Sequence, residues 1–147
     1  MILISHRGNI DGPNSKREND PDYIVEALYN YEVEIDLWFI DGMFKLGHDE
    51  PQHEIQYEFL LKNSRKLWIH CKNLLAFREL SRIDPAGDFL NYFVHESDDV
   101  VFTSKGYRWA LVGKQPIENS IAVMPEVNDE DIAVCSGICS DYIGKYR

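Results

Sequence analysis

Residues 33–51 read VEIDLWFIDGMFKLGHDEP, and this stretch sets the reading of the chain. Val33 to Trp38 alternates apolar and polar side chains, the period of a β-strand. In a strand, side chains two positions apart share a face. Glu34 and Asp36 therefore point together, and Val33, Ile35 and Leu37 point the other way. Two carboxylates on one face of a core strand repel each other and resist burial. A divalent cation relieves both problems. Hard oxygen donors favour magnesium or calcium, with manganese as a further fit. The competing reading is an edge strand with a wet polar face. Asp41-Gly42 is a turn, Met43 to Leu46 a short strand, and the chain then arrives at His48 and Asp49.

Around this stretch, the first half alternates strand and helix. Residues 2–5 (ILIS) read as a buried strand. Asp20 offers an N-cap and Pro21 the first helical position. Ile24, Leu28 and Tyr31 then fall on one helical face. Residues 54–62 read as a helix and 67–70 (LWIH) as a third core strand. Asn73 caps a helix running to about Ile83, ended by DPAGD at 84–88. Such alternation predicts parallel strands. The second half lacks helix signals. NYFVH (91–95) and DVVFTS (99–104) are separated only by Glu96, Ser97 and Asp98. A parallel pair needs a longer crossover, so an antiparallel hairpin is expected. RWALVG, SIAVM and GICSD are further short strands.

Bulk properties bound the function. A chain of 147 residues holds one domain and one core. Hydrophobic residues at 44% and charged residues at 27% are ordinary for a soluble globular protein. The net charge of -10 weighs against nucleic acid, whose phosphates attract basic surfaces. It leaves anionic substrates open, because a bound cation inverts the local field. Cys71, Cys135 and Cys139 fit no zinc knuckle or redox pair and read as small thiols in a reducing compartment. MILISHRG has no basic leader and no cleavage site, and it is too short for a membrane span. A cytoplasmic location is expected.

Chemistry gathers at strand ends. SHRG (5–8) puts His6 and Arg7 directly after an apolar strand, where α/β folds keep their active sites. Histidine moves protons near neutral pH, and arginine grips phosphate with a forked pair of donors. GHDEP (47–51) puts His48 after another short strand. Two histidines, a carboxylate pair and an arginine at strand ends make an acid, base and metal site. Each piece alone has a structural reading, and the set is more specific than any member. Other candidates are weaker. His95 reads as an exposed turn histidine, His53 as solvated, and Tyr107 and Trp109 as either a substrate wall or core packing.

Taken in order, HRG, REN, EID, DG and GHDEP resemble the glycerophosphodiester phosphodiesterase family, one of the phospholipase-C-like phosphodiesterase barrels. The matching elements are His6-Arg7-Gly8, Glu18-Asn19, Glu34 and Asp36, Asp41-Gly42, and His48-Asp49. They cover residues 2–51, about a third of the chain. The resemblance implies that Glu34 and Asp36 bind metal and that His6 and His48 are the catalytic acid and base. It implies that Arg7 binds the substrate phosphate, with Glu18 and Asp49 in support. The family's third strand carries Glu-x-Lys. Here His70 stands at the Glu position, as a candidate third metal ligand, and Lys72 at the Lys position, as a phosphate ligand. Asp141 takes the place of an Asp near the family's last strand.

The fold so implied is α/β: a reduced TIM-like (β/α) barrel with parallel strand-helix units in the first half and a helix-poor β second half. Both opening and closing strands are recognisable, which reads as a shortened member and not a fragment. The expected activity is metal-dependent hydrolysis of a small glycerophosphodiester-like or sugar-phosphate diester. The alternative is a catalytically reduced module that binds a phosphorylated ligand or metal. No nucleic-acid partner and no membrane span are expected, and the open edges of so short a barrel leave room for a homodimer.

Overall fold

The computed structural model describes residues 1–147. The apolar opening run forms β1 (Ile2–His6), the hub of the sheet. It lies parallel to β2 (Glu32–Ile40) on one side and to a late strand, Gly137–Ser140, on the other. The Asp41-Gly42 turn has positive φ at both residues (53° and 74°), as the tight hairpin turn between twisted strands requires. It leads to β3 (Met43–Leu46), antiparallel to β2, and then to β4 (His53–Ile55), antiparallel to β3. Beyond these come β5 (Leu67–Cys71), parallel to β2, and β6 (Tyr92–Phe93), parallel to β5. Next are β7 (Val100–Phe102), β8 (Arg108–Ala110), β9 (Ser120–Val123) and β10, the Gly137–Ser140 strand. β7 is antiparallel to β8, while β8, β9 and β10 run parallel to one another.

All ten strands belong to one mixed sheet, and the sheet curls. The Ser104 amide donates to the Tyr92 carbonyl at 2.8 Å, and the Tyr92 amide donates to Ser104 Oγ at 2.9 Å. The chain after β7 thus touches β6, yet no strand pair closes the ring. Only three α-helices accompany it: α1 (Pro21–Leu28), α2 (Tyr57–Lys62) and α3 (Leu74–Ile83). The architecture is a curled half-barrel with antiparallel pairs, and the expected reduced TIM-like (β/α) barrel is overturned. The physical reason lies after Ile83. Parallel neighbours β8 and β9 are joined by residues 111–119, and β9 and β10 by residues 124–136, with no α-helix in either connection.

Local readings meet the structure unevenly. Asp20 caps α1, accepting from the amides of Asp22 and Tyr23. The helix ends at Leu28, so its buried face is Ile24 and Ala27. Tyr31 packs later, against Ile138 and Ile143. The helix expected from residue 54 starts at Tyr57, because residues 53–55 cover the edge of β3 as β4. The expected hairpin between 91–95 and 99–104 does not form. β6 pairs with β5, and the tight turn instead follows β7, where the Thr103 amide donates to the Tyr107 carbonyl at 2.9 Å.

The sheet carries apolar packing on both faces. On the convex side Val33, Ile35 and Leu37 of β2 meet Leu67 and Ile69 of β5, Ile24 of α1, Leu60 of α2 and Leu80 of α3. Each such side chain contributes about 1.5–3 kcal/mol when fully buried. Asn73 fastens α3 to β2. Its Oδ1 accepts from the Ala76 and Phe39 amides at 3.0 and 3.2 Å, and its Nδ2 donates to the Phe39 carbonyl at 3.0 Å. On the concave side Ile4, Trp68, Phe93, Trp109, Ile121, Val123 and Cys139 fill the curl. The candidate site sits on that concave face, beyond this plug. No helix of the chain is long and apolar enough to cross a membrane.

Candidate functional site

The alternation of β2 continues on its concave face as Glu34 and Asp36, which are 2% and 0% exposed. The wet edge-strand reading is therefore excluded, since β2 lies between β1 and β5. β1 places His6 opposite Glu34, and β5 places His70 opposite Asp36. The three strand ends thus bring imidazoles to either side of the carboxylate pair.

After His6 the chain turns sharply, with Arg7 and Gly8 at φ 57° and 95°. A β-carbon at Gly8 would come within 2.6 Å of the Tyr23 ring, so the turn demands glycine. Arg7 is a bulky residue in the left-handed region, a conformation that concentrates at functional sites. Its Nε lies 3.0 Å from Asp36 Oδ2, without the alignment of a hydrogen bond. One terminal nitrogen donates to Glu18 Oε2 at 3.3 Å and the other to His48 Nδ1 at 2.7 Å. Because guanidinium only donates, His48 Nδ1 accepts.

His6 Nδ1 lies 2.8 Å from Asp141 Oδ1, and its Nε2 lies 3.8 Å from Glu34 Oε2. Lys72 Nζ lies 3.9 Å from Asp36 Oδ1, and His48 Nδ1 3.5 Å from Asp36 Oδ2. Every residue expected to act on phosphate or metal is therefore brought together. Asp49 stands apart: it reaches within 3.6 Å of His48 Nε2, but its side chain is 96% exposed. His95 is half-buried and enters through its backbone, whose carbonyl accepts from His70 Nε2 at 3.0 Å. Trp109 belongs to the concave plug, Tyr107 packs on Trp68, and His53 is half-buried in β4. An open cavity of about 380 Å³ beside the cluster is lined by His70, Lys72, Leu74, Val94 and His95, among others.

Two asparagines complete the frame. Asn19 Nδ2 donates to Asp36 Oδ2 at 2.9 Å, and its Oδ1 accepts from the Asp36 amide at 2.9 Å. Asn9 Nδ2 donates to both Glu18 Oε1 and Asp141 Oδ1, at 3.0 and 2.8 Å. Asn9 went unnoticed in the sequence. Its one signal is its place directly after His-Arg-Gly, where a turn residue that binds side chains is at home.

The electrostatics follow from burial and pairing. Burial, and then the charge of Asp36, pushes the Glu34 carboxyl up. Burial would also raise Asp36, but contacts with His48 and His70 and the charge of Arg7 hold it well below the usual carboxylate range. Burial would lower His6, yet its bond to Asp141 and the charge of Glu34 leave it raised. Asp141 resists the upward push of burial and is lowered by its bonds with His6 and Asn9.

The residues fit a divalent cation. Glu34, Asp36 and His70 each offer one ligand atom, all within 4.8 Å of one another. Glu34 Oε2 and Asp36 Oδ1 are buried and accept no hydrogen bond. A buried, unpaired carboxylate oxygen is costly unless something cationic meets it. Comparison of the chain with protein-family models, with curated proteins and with solved structures gave no match.

Proposed function

We propose that this protein is a metal-dependent phosphodiester hydrolase acting on a small glycerophosphodiester-like or sugar-phosphate diester, akin to the glycerophosphodiester phosphodiesterases. The observation that carries the reading is the convergence of His6, Arg7, His48 and Lys72 on the buried Glu34-Asp36 pair. Glu34 and Asp36, with His70, would hold the cation: magnesium, calcium or manganese. When bound, the cation supplies positive charge for the extra negative charge of the transition state.

The chain's own groups do the rest. Arg7 and Lys72 bind non-bridging oxygens of the phosphate. His6 takes a proton from the nucleophile, either water or a neighbouring substrate hydroxyl, at Nε2. Asp141, bonded to Nδ1, stabilises the imidazolium that results, as a buried aspartate does in hydrolytic triads. His48, in its imidazolium form, would pass its Nε2 proton to the departing alcohol oxygen and become neutral, its Nδ1 being freed as the Arg7 guanidinium that now lies 2.7 Å away turns to the phosphate. Arg7 is thus both phosphate ligand and the group that positions His48.

The test is release of a chromogenic alcohol from a phosphodiester with magnesium, calcium or manganese present. Turnover should vanish with chelator and return with cation. No turnover with any of the three would sink the hydrolase reading. Phosphate binding without turnover would instead support the reduced, ligand-binding module.

A further inference from the structure

We infer that His70 makes this cation site select a first-row transition cation, manganese(II) or zinc(II), over magnesium and calcium. The inference rests on the cation reading above, and not on the phosphodiester chemistry.

His70 Nε2 lies 3.0 Å from the His95 carbonyl oxygen. A carbonyl can only accept, so Nε2 carries a proton. The other ring nitrogen, Nδ1, lies 3.2 Å from Asp36 Oδ1. In the neutral ring with its proton on Nε2, Nδ1 carries the lone pair that can ligate. It faces two carboxylates, with Glu34 Oε1 at 3.9 Å as the second. In that neutral form three electron-rich atoms converge, an arrangement that a bound cation relieves.

The ring is also held in place. It stacks on Phe93 with centroids 5.2 Å apart and planes 5° from parallel. Phe93 is itself 1% exposed, so neither ring swings freely. A ligating histidine that donates its other N–H to a backbone carbonyl is the usual second-layer support for a metal. The donor set is then two carboxylates and one imidazole. Magnesium and calcium prefer all-oxygen surroundings, whereas affinity for a site with a nitrogen donor rises along the first-row divalent ions, lowest for manganese and high for zinc.

The experiment is calorimetric titration of the chelator-treated full chain with manganese, zinc, magnesium and calcium chlorides, with no phosphodiester present. Manganese and zinc should bind at least about tenfold more tightly than magnesium or calcium. Pulsed EPR of the manganese complex should show coupling to an imidazole nitrogen. In His70→Glu, which makes the set all carboxylate, that coupling should vanish and the preference should move toward magnesium. The wild-type titration needs no variant, so the selectivity is measured even where His70→Glu misfolds. Equal or tighter binding of magnesium or calcium, absent nitrogen coupling, or coupling that survives in a folded His70→Glu would each overturn the inference. Transition-metal selection without turnover would uphold it and remove the hydrolase reading. Turnover with magnesium favoured would do the reverse.

Discussion

On the side of the sheet formed by β1, β2 and β5, α1 and α3 pack behind β2 and β5 while the 3₁₀ turn at Ile143–Tyr146 lies against β1, whereas β8, β9 and β10 are backed by loops and by 3₁₀ turns at Pro125–Val127 and Ile143–Tyr146. The division of labour follows that difference. The helix-backed side carries His6, Arg7, Glu34, Asp36, His48, His70 and Lys72. The loop-backed side supplies part of the concave plug and one carboxylate, Asp141. Strands pinned from behind by packed helices can hold charged side chains in costly positions on their other face. Apolar burial behind the strands offsets the buried charge in front of them. The thinner side closes the curl.

The largest effects should come from the helix-backed strand ends. His6→Ala or His48→Ala should lower turnover of the chromogenic phosphodiester by about 10²- to 10⁴-fold while the far-ultraviolet circular dichroism stays unchanged. Full activity in both variants would erase the functional contrast between the two sides.

Packing supplies the next contrast. Leu80 of α3 is 0% exposed and Phe102 of β7 is 67% exposed. Leu80→Ala should cost about 2–5 kcal/mol in urea unfolding, and Phe102→Ala no more than about 0.5 kcal/mol. Similar costs at the two positions would mean that β7 is covered in solution.

A smaller difference separates two helix caps within the helix-backed side. Asp20 only caps α1, and Asp20→Ala should cost about 1 kcal/mol. Asn73 caps α3 and also holds both backbone groups of Phe39. Asn73→Ala should cost about 2 kcal/mol or more by the same measurement.

The smallest effect tests how the two sides are joined, through His6 and Asp141. Asp141 has a folded value below its ordinary 3.8, so its contribution is present above 3.8 and lost as pH falls through the lowered value. His6 has a folded value above 6.5, so its contribution is full below 6.5 and lost as pH rises through the raised value. In the chelator-treated protein, the stability gap between wild type and Asp141→Asn should be widest between those two pH values. It should narrow on both sides. A gap that is flat from acid to alkaline pH would mean that the pair does not couple the two sides.

Features with local causes were legible in the chain alone. Alternation in residues 33–37 put Glu34 and Asp36 on one face, Asp20 and Asn73 marked helix starts, and Asp41-Gly42 marked a hairpin. The charged residues that gather at the strand ends could also be picked out there. Features that depend on distant partners emerged only on folding. β6 and β7 looked like a hairpin because their spacing is short, but each found a better-fitting neighbour in β5 or β8. The absence of crossover helices after Ile83 turned an expected barrel into a curled half-barrel. Asn9 and the His95 carbonyl joined the site from positions that no periodicity singles out. Period and capping are written within a few residues of chain, whereas pairing and enclosure are settled by contacts between segments far apart in sequence.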